Sequence, residues 1–361
     1  MARNSENKKQ KPLSLRRKLF RIGRYFFIGG ISFVVIALVC VVSYGNYIAR
    51  SQSTKQVTAL MPDINVAKTE VAETPQFPIG VHPDKEEIIE NPNAEVFFDT
   101  YYADNDAVLG MHTSWFGRAL GKLALFGWYQ NLASLSTRIL VILPGERREQ
   151  IADNFGNILG WNNTEKETFL TIISKTPPMV VEGKFYPGTY TVARGASPEE
   201  VAKLISDRFD AEILQRYGDV VEKAVPLTQA LIMASLLERE AYDFEDMRHI
   251  SGVIWNRLFT DMRLQIDATL QYAKGSKPQQ PWWPAVRPAD KYIESSYNTY
   301  EYQGLPPGAI ANPSAEAILA TLNPTKTDCM YYFHDKNAGF HCSKTYEEHV
   351  ASLKQYYGKG K

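Results

Sequence analysis

The chain has 361 residues, 44 % hydrophobic and 22 % charged, and its 40 basic and 40 acidic side chains cancel to a formal net charge of zero. Nine of the basic residues fall in the first 24 positions against one acid, so the rest of the chain carries a net −8. That distribution excludes a nucleic-acid binder with a basic folded surface, and the chain beyond the basic head is long enough for two domains with a sizeable core.

Residues 1–24 are read as a cytoplasmic basic head. From Tyr25 to Ala49 no residue is charged. As a helix this run would reach about 37 Å, enough to cross roughly 30 Å of hydrocarbon with some tilt. It is longer than the apolar region of a cleavable signal peptide, and Tyr44-Gly45-Asn46-Tyr47 does not resemble a cleavage site. The expectation is a single transmembrane helix over 25–49 that is not removed. Positive charge before the span puts the N-terminus in the cytoplasm. The chain is then expected in the cell inner (plasma) membrane, with its folded part outside the cytoplasm. Contact of the basic head with anionic lipid is compatible with this, although such charge more commonly sets topology alone.

Residues 50–135 are expected to form a connector or membrane-proximal region. The stretch 51–94, rich in Pro, Thr, Glu and Lys, reads as a stalk or irregular connector. A helix can form around Trp115–Leu125. Residues 136–225 read as a small α/β module. Within it Ser136–Leu143 is a strand closed by Pro144-Gly145. Glu146 to Leu159 is a helix with Ile151, Phe155, Ile158 and Leu159 at helical spacing. Thr164 and Glu167 suggest a capping box for the next helix. Asn162-Asn163-Thr164 matches a glycosylation acceptor, a pattern too short to count. Glu182 to Tyr190 reads as strand, turn and strand. Ser197-Pro198-Glu199-Glu200 is a helix start with cap, proline and acids at the positive end of the dipole. That helix should turn Val201, Leu204, Ile205 and Phe209 inward.

Residues 226–361 are expected to be a mostly helical domain with short strands. Its first helix runs from Pro226 to about Ala241. A second, near Glu245–Phe259, places Met247, Ile250, Ile254 and Leu258 on one face. Met262, Leu264 and Ile266 alternate with Arg263, Gln265 and Asp267, a strand-like pattern, and Asp267 can also cap a helix over Ala268–Ala273. Met330–Phe333 and Phe340-His341 suggest a C-terminal β-hairpin. Cys329 and Cys342 flank it and can pair in an oxidising exterior, though sequence does not set the register that pairing needs. Cys40 lies in the apolar run. The cysteines with His334 and His341 lack a metal-ligand spacing, so no metal or cofactor is expected. The fold class is α+β.

The chemistry is suggested by Leu231–Glu240, an apolar helical run ending in two carboxylates. Burial against apolar side chains disfavours a charged carboxyl and raises its pKa, which suits a general acid. Glu240 looks back on Leu237, Leu236 and Met233, and Glu238 on Ser235, Ala234 and Leu231. The pattern favours Glu240 only slightly. Both could instead be a solvated helix end, paired with Arg239 or Arg248.

Met233-Ala234-Ser235-Leu236-Leu237-Glu238-Arg239-Glu240 resembles the signature helix of the endolytic murein transglycosylase (MltG, YceG-like) family. The likeness continues through Gly252-Val253-Ile254-Trp255-Asn256-Arg257-Leu258 and Met262–Thr269. Tyr297-Asn298-Thr299-Tyr300, Gly304–Pro313, Asn323-Pro324 and the final hairpin extend it. Glu182-Gly183 with Phe185-Tyr186-Pro187 is a weaker match. Ala268 stands where a proline is frequent, and Cys329 and Cys342 depart from the family pattern.

The resemblance implies a single-pass inner-membrane enzyme that cuts peptidoglycan glycan strands internally, with Glu240 as the catalytic residue. Glu240 would protonate the oxygen between N-acetylmuramic acid and N-acetylglucosamine, with charge developing at C1 as in other glycosidases. Ionised, it would then take the proton of the muramyl C6 hydroxyl, which closes a 1,6-anhydro ring. Glu238, Gln265, Asp267, Tyr297 and Asn298 are the candidate substrate-binding residues. For Gln265 the plain alternative is a solvent-facing side chain, for Asp267 a helix cap, and for Tyr297 and Asn298 a turn. Leu305-Pro306-Pro307-Gly308 is expected to wall the cleft. Trp282 and Trp283 either stack on sugars or anchor a loop. Peptidoglycan synthases are partners the resemblance suggests. A water-using muramidase with Asp267 as second carboxylate, and a non-catalytic envelope scaffold, remain alternatives.

Overall fold

The computed structural model describes residues 74–101, 137–277 and 279–358. The expected head, span, distal connector and Trp115–Leu125 helix lie outside them. Among the described residues no helix is long and apolar enough to cross a membrane. The architecture is mixed helix and sheet, with short strands and a C-terminal hairpin.

Residues 74–101 are not a stalk. Strands β1 (Val81–His82) and β2 (Glu87–Ile88) form a small antiparallel ribbon, and residues 92–101 are helical. Phe77, Val81, Ile88, Ala94, Phe98 and Tyr101 are buried in the larger core. The amide of Gly80 donates to Leu322 O at 2.8 Å, and Asn323 Nδ2 donates to Pro78 O at 2.7 Å. Polar composition disguised this segment, because a few spaced apolar anchors suffice to pin an irregular chain.

The module has its own core. Strand β3 (Thr137–Ile142) pairs antiparallel with β4 (Gly188–Ala193) over six residue pairs. Helices α1 (Arg148–Leu159) and α2 (Asn163–Lys175) lie between them in sequence, and α3 (Pro198–Glu212) comes next. Phe155, Phe169, Phe185, Ile151 and Ile205 are fully buried there. Two local expectations need correction. Asn162, not Thr164, caps α2, with Glu165 completing the capping box; the two boxes sit two residues apart and only one backbone geometry can be met. Residues 182–187 form no strand, because Glu182 and Phe185 bond across to Asn312 instead of to a neighbouring strand. Ser197 caps α3 as expected, with Pro198 at its first turn.

The larger core is built on two helices. In α5 (Leu227–Glu240) Leu227, Ala230, Leu231 and Met233 to Leu237 are buried, and α8 (Ala315–Leu322) is buried along its whole length. Between α3 and α5 lies the short α4 (Asp219–Ala224). A helix apolar all round belongs inside a core. Helix α6 (Phe244–Phe259) packs on both and presses against the 325–327 segment. The approach needs Gly252, where an added Cβ would sit 2.3 Å from Thr325 O. Helix α7 (Asp267–Gly275) is next, and the described residues among 276–314 are irregular apart from a 3-10 turn at Pro288–Tyr292. Residues 262–266 keep the predicted alternation of burial but are not a strand. Gln265 has φ of 51°, and its amide and that of Ile266 are taken by Thr299. The hairpin of β5 (Tyr331–His334) and β6 (Phe340–Ser343) forms as expected, and α9 (Tyr346–Tyr357) packs on it.

Candidate active site

Helix α5 ends at Glu240, where the chain turns toward α6. Two other segments converge on this carboxylate. Tyr332 of β5 donates its hydroxyl to Glu240 Oε2 at 3.0 Å. The amide of Ala268, in the first turn of α7, donates to the same carboxyl. Asp267 and His334 lie close enough to act on it electrostatically. Burial pushes the Glu240 carboxyl above the usual range, Tyr332 and Ala268 pull it back, Asp267 raises it and His334 lowers it. Burial favours the protonated form. The hydroxyl and the N-terminal helix amide favour the ion left once that proton has gone. A carboxyl so balanced can give a proton and take one back.

The surrounding frame is held by buried polar ties. Ser235, five residues back on α5, accepts from the amide of Ile310 at 3.0 Å, which docks the segment that follows Leu305–Gly308. Arg257 donates to Met330 O at 2.7 Å and to Leu264 O, so one guanidinium joins the two segments that flank Glu240. Trp255 and Asn256 donate to Thr321 O, Thr327 O and Cys329 O.

The remaining candidate residues divide between the site and its frame. Glu238 is partly buried and accepts from the amide and hydroxyl of Ser314, at 3.0 and 2.7 Å, where α8 begins. Asp267 is exposed beside Glu240 and accepts from the Tyr300 hydroxyl at 2.7 Å. It is the first residue of α7, while the cap position belongs to Ile266, so the capping alternative does not hold. Gln265 is exposed, which removes burial as a reason for giving it a role. Tyr297 is partly buried against Tyr272, ring centroids 4.7 Å apart. Asn298 is fully buried, and its side chain is spent on Lys291 O, Ile293 O and the Tyr300 amide. It therefore shapes the loop, as the turn alternative had it. Trp282 and Trp283 anchor a loop by taking arginines: Arg147 lies 5.4 Å from the Trp282 ring and Arg239 3.9 Å from that of Trp283.

Sequence reasoning missed Tyr332, His334, Thr299 and Tyr300. The sequence marks Tyr332 only as a hairpin residue and His334 only as a histidine without a metal-ligand spacing. His334 Nε2 lies 2.8 Å from Asp246 Oδ2. The one available signal was the strand alternation, which puts Tyr332 and His334 on the same face.

The module meets this domain through a second buried carboxyl. Glu182 accepts from the amide of Arg148 at 3.1 Å, at the start of α1, and from Asn312 Nδ2 at 2.8 Å. Gly183, at φ +99°, brings it there, since a Cβ would lie 3.1 Å from Ala309 Cβ. Burial, and then Glu149, pushes the Glu182 carboxyl up to about 8. An acid whose folded value exceeds its unfolded one adds stability that is complete below the unfolded value and lost as pH rises to the folded value. The melting temperature should thus fall relative to Glu182→Gln between about pH 4.5 and pH 8 and run parallel above. Glu316, raised to about 7, slopes the same way in both proteins. Thermal unfolding across that range checks it, and parallel curves throughout would refute it.

The YceG-like family profile matches residues 122–355. A protein named endolytic murein transglycosylase from Streptococcus pneumoniae (serotype 2, strain D39 / NCTC 7466) is 28 % identical over 243 residues, 60 % of this chain and 44 % of that protein. One of the same name from Bacillus subtilis (strain 168) is 32 % identical over 206 residues, 53 % of this chain and 56 % of that protein. The chain thus spans about half the length of the curated relatives it matches. A crystal structure described as a yceG-like protein from Listeria monocytogenes superposes with a TM-score of 0.52 at 30 % identity, covering 59 % of this chain and 75 % of that one.

Proposed function

The chain belongs to the YceG-like family, and from that footing we propose that it is a peptidoglycan lytic transglycosylase, a lyase in which Glu240 is first acid and then base. The observation that carries the reading is the surroundings of Glu240: a carboxyl raised by burial, yet supplied with two donors that fit its ionised form. The names of the relatives support the substrate class.

Protonated Glu240 gives its proton to the oxygen between N-acetylmuramic acid and the adjoining N-acetylglucosamine. The departing sugar leaves positive character at muramyl C1, which the new carboxylate opposes. Tyr332 and the Ala268 amide hold that carboxylate in place. The carboxylate then takes the proton of the muramyl C6 hydroxyl as that oxygen bonds to C1. Glu240 ends protonated, ready for another turn, and no water is consumed. Asp267, exposed beside Glu240 and tied to Tyr300, is the group that faces incoming sugar. Anchoring by residues 25–49 would keep the enzyme at the membrane, working on internal bonds of nearby strands, with synthases within reach.

Digestion of purified sacculi with the full chain in detergent tests this. Products ending in 1,6-anhydro-muramic acid, one water lighter than hydrolytic products, are expected in the mass spectrum. Reducing ends would instead mean a muramidase, and intact glycan would mean a scaffold.

A further inference from the structure

The hydroxyl that steadies Glu240 comes from a two-stranded ribbon that packs on α6 and α9. Among the described residues strand β5 pairs with β6 alone, and a two-stranded ribbon is marginal by its own pairing. Its register puts Cys342 directly opposite Tyr332. Cys342 is joined to Cys329, 13 residues earlier. Cys329 is anchored in turn, because Asn256 Nδ2 on α6 donates to its carbonyl at 3.0 Å. The bridge therefore ties the strand facing Tyr332 to a fixed point on the core helix beside Glu240.

We propose that the Cys329–Cys342 bridge is a positioning device of the active site, and that Tyr332 is the positioning residue it serves. The inference rests on the reading of Glu240 as acid and base. By holding Oε2, Tyr332 sets the carboxyl's rotation and so the direction in which its proton is presented. Open the bridge, and the hairpin keeps its four-residue strands and its packing on α6 and α9 but loses the covalent tie between β6 and the segment anchored to Asn256, so Tyr332 is held less closely to Glu240. A dithiol such as dithiothreitol opens it by giving up two electrons and two protons. The two cysteines become thiols, and the reductant closes on its own disulfide.

The test uses the full chain and sacculi. It compares wild type, oxidised and reduced, with Tyr332→Phe and with Cys329→Ser/Cys342→Ser. Reduction, the serine pair and Tyr332→Phe should each lower kcat by about tenfold, the size of one hydrogen bond to a charged group, with KM nearly unchanged. Reduction of Tyr332→Phe should cost nothing further. A second readout does not depend on turnover. The ¹³C carboxyl signal of Glu240, assigned by its loss in Glu240→Gln, should titrate at higher pH in the reduced and Tyr332→Phe proteins, because the tyrosine pulls that carboxyl down. Asp267 and Ala268 on α7, Arg257 on α6 and Tyr300 in its loop stay in place; His334 shares β5 with Tyr332, and because it too lowers the carboxyl, its displacement on reduction acts in the same upward direction. Unchanged kcat and titration on reduction would overturn the proposal, as would an equal loss on reducing Tyr332→Phe. An inactive wild type would refute the lytic reading alone, since the titration still reports whether the bridge holds Tyr332 on Glu240.

Discussion

Glu240→Gln is expected to lower lytic turnover by about 10²–10⁴-fold, the range a lost general acid–base group covers, while the protein stays folded. Glutamine matches the shape of the carboxyl and its carbonyl can still accept from Tyr332. It cannot protonate a leaving oxygen or take a proton from C6. Because burial raises the carboxyl, removing its charge relieves a desolvation cost and should leave the melting temperature unchanged or slightly higher. Sacculus digestion beside thermal unfolding separates the two effects. Retention of more than a tenth of the activity would remove Glu240 as the acid and direct attention to Asp267. In the wild type, the acid step should fail as pH rises through the raised folded value of Glu240. Activity should therefore persist to higher pH than an ordinary carboxylic acid would allow.

Asn312→Ala should be strongly destabilising. Asn312 is fully buried and makes three side-chain bonds across the boundary between the module and the C-terminal domain. Its Nδ2 donates to Glu146 O at 2.9 Å and Glu182 Oε1 at 2.8 Å, and its Oδ1 accepts from the Phe185 amide at 2.9 Å. Alanine would leave the Phe185 N–H unsatisfied and take a donor from a buried carboxyl. Each buried polar group left without a partner costs about 1–3 kcal/mol. The loss should be roughly 2–5 kcal/mol, seen as a melting temperature lower by about 5–15 °C. A shift under about 2 °C would mean that the backbone pairings of residue 312 with Glu146 and Gly145 hold the boundary unaided.

Some of the fold was legible residue by residue. Helices α3, α5 and α6 follow from spacing and caps, which are local effects: Ser197 bonds Glu200 three residues away, and Asp243 bonds the Asp246 amide. The hairpin was legible from its two apolar runs around Asp335–Gly339. The misreadings share one cause. Residues 182–187 and 262–266 have strand-like patterns, yet their partners are Asn312 and Thr299, distant in sequence and not strands. Residues 74–101 look like a linker because their anchoring contacts lie on α8 and near Arg216. In the site, the apolar neighbours of Glu240 on its own helix put it only slightly ahead of Glu238 as a candidate, and the motif resemblance separated the two. Glu238 and Asn298 could not be sorted from ligand-binding residues, because what each bonds, Ser314 and the 291–300 loop, shows only in space.

The sequence by itself showed the family through its ordered motifs, and it showed the helical frame and the carboxyl at the end of α5 because periodicity and capping act within a few residues. Only the tertiary structure decided what sets that carboxyl's proton affinity. Tyr332 reaches it across 92 residues of chain, and Ala268 and Asp267 arrive on another helix. Hydrogen bonding and desolvation act over a few ångströms of space whatever the separation along the chain. A residue's protonation therefore belongs to the fold, while its place on a helix belongs to the sequence.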